Sequence, residues 1–148
     1  MKYQIYISKS NLADPDDLIG LRRILKDYDV NVAEFHGGEY SSAPLKQSDL
    51  VIIISYPGAQ EGNNVFLGKG TFMEATKASV LRIPILFFNG ESFYHYKEIV
   101  VEDKNDYQRR FGRMDIVEGF NPEELNVYIH SLPIRPKEGE GKQGIELA

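Results

Sequence analysis

The sequence predicts a three-layer α/β fold: a single domain on a doubly wound, mostly parallel sheet with helices on both faces. Three observations point there. Short β-rich apolar runs alternate along the chain with helical segments, the pattern of parallel strands joined by helical crossovers. One run, Leu50–Ile54, is apolar at every position, as a strand covered on both faces is. Polar and glycine-bearing segments follow the runs, at the end where such sheets bind ligands.

The elements follow in order. Residues 3–7 alternate and are β-rich, giving the first strand. Asp14-Pro15-Asp16-Asp17 is a helix start: Asp14 caps, Pro15 takes the first helical position and acids fill the first turn. Leu18, Leu21, Leu25 and Tyr28 then recur at helical spacing, so the first helix is expected to run to about residue 29. Residues 30–35 read as strand two and lead into a glycine-bearing loop with Gly37 and Gly38. A short helix or turn over 44–48 precedes strand three, Leu50–Ile54. Residues 55–64 read as a long polar loop. A helix is expected over 71–81. Strand four covers 83–88, with Pro84 at its start, where a missing donor is tolerated. Beyond it a short strand near 99–101 and a helix over 105–111 are expected. Asn121-Pro122-Glu123-Glu124 repeats the start signal, and Leu125, Tyr128, Ile129 and Leu132 form the stripe of a last helix. The domain is expected to span 1–132. The Pro-, Gly- and charge-rich segment 133–148 reads as a flexible tail.

Bulk properties narrow the function classes. The chain has 148 residues, 42% of them hydrophobic, and a net charge of -5. That charge argues against a nucleic-acid polymer as partner, because phosphate contacts need clustered Lys and Arg. There is no cysteine, so disulfide and thiolate chemistry are excluded. No apolar run approaches the roughly 20 residues that cross a bilayer, and no membrane partner is expected. The first residues read as a strand rather than a leader, so a cytoplasmic protein is expected. His36, His95 and His130 have no metal-ligand spacing; neither a metal nor a cofactor is expected.

The chemistry concentrates in Leu67-Gly68-Lys69-Gly70-Thr71-Phe72-Met73-Glu74-Ala75. A glycine turn, a threonine and a glutamate three residues on are expected to put Glu74 in the first turn of a helix, where the dipole favours negative charge. Its carboxylate either stabilises an oxocarbenium-like sugar or attacks its anomeric carbon, or it is simply a helix-favouring acid. Gly68 and Gly70 either let a ligand approach the backbone or serve a turn at positive φ. Lys69 reads as a phosphate contact or a surface lysine. The sheet topology is expected to gather the strand-end loops at one crevice, bringing in Tyr6, Ser8, Gly37, Gly38, Ser55, Thr71 and Asn89 as substrate-side residues. Tyr6 serves the crevice or the core. Ser8 and Ser10 donate to a ligand or cap the next helix. The aromatic residues Phe87, Phe88, Phe93, Tyr94 and Tyr96 stack on a base, form a dimer interface or make a satellite core. Asp49, just before strand three, reads as structural.

Gly68-x-Gly70-Thr71-x-x-Glu74 resembles the G-x-G-T-x-x-E core of Rossmann-like enzymes that cleave N-glycosidic bonds of nucleotides, among them the phosphoribohydrolases of the lysine-decarboxylase-like group. The first-strand tyrosine, the Asp before strand three and the glutamate after a glycine turn are similar to nucleoside 2-deoxyribosyltransferases. More distantly, Tyr6-Ile7-Ser8 and Ser48-Asp49-Leu50-Val51-Ile52-Ile53-Ile54-Ser55 resemble TIR domains, some of which hydrolyse NAD with a glutamate. The resemblance covers roughly residues 1–90. It implies a Rossmann- or flavodoxin-like sheet, Glu74 as nucleophile on the sugar and Tyr6 as the residue orienting it. Two positions depart from the pattern: Gly68 stands where the transferases carry an acid, and Phe66-Leu67 where the phosphoribohydrolases carry P-G-G.

The function expected is cleavage or transfer at the N-glycosidic bond of a nucleoside or nucleotide, in a homo-oligomer. The alternatives are a non-catalytic module that binds or sequesters a nucleotide-derived ligand, and an interaction domain with a vestigial pocket.

Overall fold

The computed structural model describes residues 3–32 and 41–135. The chain runs β1 (Gln4–Lys9), α1 (Pro15–Ile24), β2 (Asp29–Val32), α2 (Ala43–Lys46) and β3 (Leu50–Ile54). It continues through β4 (Gln60–Glu61), β5 (Asn64–Leu67), α3 (Lys69–Val80), β6 (Ile85–Phe88), β7 (Phe93–Val101), β8 (Gly112–Phe120) and α4 (Pro122–His130). All eight strands join one sheet in the order β2-β1-β3-β6-β7-β8-β5-β4.

The mostly parallel sheet expected from the sequence is overturned. β1 pairs in parallel with β2 and β3, and β3 with β6. The other four pairings, β6 with β7, β7 with β8, β8 with β5 and β5 with β4, are antiparallel. The reversal begins after Phe88. Asn89 Oδ1 accepts from the amides of Glu91 and Ser92, and Gly90 sits at φ 98°, so the chain turns straight back into β7. The expected helix over 105–111 is replaced by part of the loop 102–111 between β7 and β8. Asp103 and Asp106 accept from the amides of Asn105 and Arg109, which gives this backbone an alternative to helix. The long polar loop expected over 55–64 instead contains β4 and runs into β5.

Alternation along the strands divides two cores. Ile5, Ile7, Leu50, Ile52, Ile54, Leu86 and Phe88 pack with Leu21 of α1, Leu25 just past its end, and Leu125 and Ile129 of α4. On the other face Tyr6, Val51, Ile53, Ile85 and Phe87 pack with Phe72, Ala75 and Ala78 of α3. Three of the five aromatic residues of that cluster belong to the interior, Phe88 and Phe93 stacked at 4.8 Å inside one core and Phe87 in the other, while Tyr94 and Tyr96 are partly buried against the second.

Asp49 is structural and nearly sealed. It accepts from the amides of Gln4 (2.8 Å) and Arg135 (2.7 Å), tying β1 to the segment after α4. Arg135 Nη1 donates in turn to the carbonyls of Lys46 and Ser48. Thus the first residues of the expected tail are held against the domain, and 136–148 lie outside the described residues. Among the described residues no helix is long and apolar enough to cross a membrane.

Candidate functional site

On β1, Ile5 and Ile7 turn to the α1 and α4 core, so the pleat sends Tyr6 and Ser8 to the α3 face. On α3, Thr71, Glu74, Ala75 and Ala78 are buried at helical spacing, so Glu74 looks inward at the sheet. The two patterns meet. The Tyr6 hydroxyl donates to Glu74 Oε2, and Ser8 Oγ donates to Glu74 Oε1 at 2.7 Å. Glu74 is 7% exposed, Tyr6 2% and Ser8 0%. A carboxylate this deep is tolerated because each oxygen has a hydroxyl donor. These bonds fix its orientation.

The helix begins two residues earlier than expected, which corrects one premise. Gly68 is the N-cap and Lys69 the first helical residue, so Glu74 stands in the second turn. The dipole acts mainly on the first turn. What holds the Glu74 carboxylate is therefore the hydroxyl pair from β1 rather than the helix end.

A cavity of about 1080 Å³ opens over this group, lined by both Glu74 and Tyr6. One wall is the end of β1 and the segment after it, from Lys9 to Leu12. Another is the start and outer flank of α3, with Gly68, Lys69, Gly70, Thr71, Met73 and Lys77. Tyr107 and Gln108, from the β7–β8 loop, complete the described lining on that side. Among the described residues no group of His, Asp and Glu side chains is arranged to hold a metal ion.

The structure brings together most of the residues singled out from the sequence and separates others. Tyr6, Gly68, Lys69, Gly70, Thr71 and Glu74 line the cavity, and Ser8 bonds to the carboxylate. Ser10 also lines it and caps its own loop, accepting from the Leu12 amide at 3.0 Å. Ser55 does not reach it; its hydroxyl donates to the Phe66 carbonyl at 2.6 Å and ties β3 to β5. Asn89 does not either, because its side chain is used by its own hairpin. Gly37 and Gly38 lie outside the described residues.

The glycines act differently from expectation. Gly68 is at φ -69°, so it serves no positive-φ turn. A Cβ there would stand 2.5 Å from the Gln108 carbonyl oxygen, so its small size admits the β7–β8 loop. A Cβ on Gly70 meets nothing within 4 Å. Lys69 donates its amide to the Tyr107 carbonyl at 2.7 Å, and its ammonium lies 4.9 Å from the Tyr107 ring centroid. That stacked lysine is committed to the loop as well as to the cavity.

Sequence reasoning missed Tyr107 and Gln108, because 105–111 read as a helix. One signal was available: among Asp, Asn, Gln and Arg, Tyr107 has only Phe111 as an apolar neighbour at helical spacing, too little for a buried stripe. Compared with protein-family models, curated proteins and solved structures, the chain matches none.

Proposed function

We propose that this protein breaks or exchanges the N-glycosidic bond of a nucleoside or nucleotide, with Glu74 as the nucleophile. The observation that carries the reading is the buried Glu74 carboxylate, held by Tyr6 and Ser8, which with Tyr6 lines a cavity large enough for such a ligand. In this scheme a Glu74 oxygen forms a bond to the anomeric carbon as the bond to the base nitrogen breaks. The base leaves with the electron pair and takes up a proton. Water or a second base then attacks the glycosyl ester and frees Glu74. Tyr6 and Ser8 hold the carboxylate at one angle, so little reorientation is needed before attack.

The test is release of free base. The protein is incubated with nucleosides, nucleoside monophosphates and NAD, and the products are separated by chromatography. Base release is expected from at least one class, falling roughly 10³-fold or more in Glu74→Gln. Tyr6→Phe removes one bond to a charged acceptor and should slow release roughly 10- to 100-fold. No base from any substrate, or full activity in Glu74→Gln, overturns the reading. A ligand-dependent rise in melting temperature without turnover would point instead to a binding or sequestering module.

A further inference from the structure

We infer that the β7–β8 loop is the part of the cavity that recognises the base, with Tyr107 as a stacking platform and Gln108 as the edge-reading group. The inference rests on the glycosidic reading for which end of the ligand lies where. It does not rest on Glu74 being a nucleophile.

Tyr107 is 60% exposed, yet it lines the same cavity as Glu74. Its backbone is anchored: the carbonyl takes the Lys69 amide, and the Gln108 carbonyl sits where a side chain on Gly68 would be. The loop is braced further along. Asp106 accepts from the Arg109 amide, and Arg110 pairs with Glu61 at 3.0 Å. An exposed ring on an anchored backbone loses little freedom when a flat ligand covers it, which favours stacking. Lys69 above the ring and Phe111 stacked at 6.1 Å restrict how that ring can tilt, and a base would stack on the part of the ring that these two leave exposed.

The spacing suits a sugar–base unit. The Tyr107 carbonyl takes the residue 69 amide and the carboxylate belongs to residue 74, whose backbone stands five residues, or about 7.5 Å of helix rise, further on. A pentose against Glu74 would carry its base toward the helix start, where Tyr107 and Gln108 stand. Gln108 is exposed on the same wall, and its carboxamide offers both donor and acceptor, as a base edge requires.

The experiment uses Glu74→Gln protein, so that ligand is not consumed, and titrates it with AMP, GMP, CMP and UMP by calorimetry. Adding Tyr107→Ala should weaken the tightest of these by roughly 5- to 150-fold. Tyr107→Phe should stay within about twofold, since the ring remains. Gln108→Ala should change the ratio of affinities among the four bases. An unchanged affinity in Tyr107→Ala, equal losses in Tyr107→Ala and Tyr107→Phe, or no binding of any nucleotide overturns the inference. Tyr107-dependent binding without base release by the wild-type protein sinks the glycosidic chemistry and leaves the platform standing. Base release with the same KM in Tyr107→Ala does the reverse.

Discussion

The two halves of the sheet are built on different terms. In the parallel half, β2-β1-β3-β6, helices cover both faces, and every residue of β3 and β6 is buried. In the antiparallel half, β7-β8-β5-β4, β8 buries Gly112, Met114 and Ile116 while Arg113, Asp115 and Val117 face the other way. Arg113 there sits among Asp115, Glu102 and Glu98. The lesson is a division of labour. The doubly covered half supplies a rigid wall that orients Glu74 from behind through Tyr6 and Ser8. The singly covered half carries the loop between β7 and β8, and that loop reaches around to the same cavity.

The largest expected effect tests that contrast directly. Ile52 is fully buried on β3, so Ile52→Ala should cost about 2–5 kcal/mol. Val117, 41% exposed on β8, should lose no more than about 0.5 kcal/mol as Val117→Ala. Urea denaturation of the two variants measures both. Similar losses would mean that the antiparallel half is as tightly covered as the parallel one, by a surface absent from the isolated chain.

The same contrast explains what could be read from the sequence. Leu50–Ile54 and 83–88 were legible because two-sided burial writes a continuous apolar run. Of β7 only the end near 99–101 was legible, and β8 was not, because Phe93–Val101 and Gly112–Phe120 mix charge into alternation on a half-covered sheet, and that reads neither as helix nor as a buried strand. Tyr6 and Glu74 could be named from the motif, and Ser8 follows from Tyr6 by the two-residue period. The second-turn position of Glu74 was hidden because the helix start depends on tertiary contact: the Gln108 carbonyl packs on Gly68 and the Tyr107 carbonyl takes the first amide. Ser55 and Asn89 were misassigned because a polar side chain beside a strand end serves its own backbone as readily as a ligand.

The next effect lies at the seam between the halves. A Cβ on Gly112 would stand 2.0 Å from Phe72 Cδ2, and that ring is wedged against Phe111 at 5.4 Å. Gly112→Ala must displace the Phe72 ring and should cost about 1–3 kcal/mol. If the seam also positions the β7–β8 loop, nucleotide affinity should fall with it, as titration of the variant would show. A loss of stability with affinity intact would mean that the loop is held by Lys69 and Gly68 alone.

The smallest effect concerns the hairpin that starts the antiparallel half. Its tip rests on α1: a Cβ on Gly90 would lie 2.7 Å from Asp17 Oδ1. Burial there, and then the charges of Asp14 and Asp16, raise the Asp17 carboxyl above its ordinary value. The folded chain thus holds this proton more tightly than the unfolded one. Stability from this group is full below the ordinary carboxylate pKa and is lost as pH rises through the raised folded value. Other carboxylates titrate in the same range, so the measurable quantity is the difference between Asp17→Asn and wild type. Denaturation at a series of pH values should show the variant gaining on the wild type across that window and then holding level. A difference that stays flat, or falls with pH, would mean that the hairpin tip does not desolvate α1, and that the two halves meet there more loosely than the packing of Gly90 on Asp17 implies.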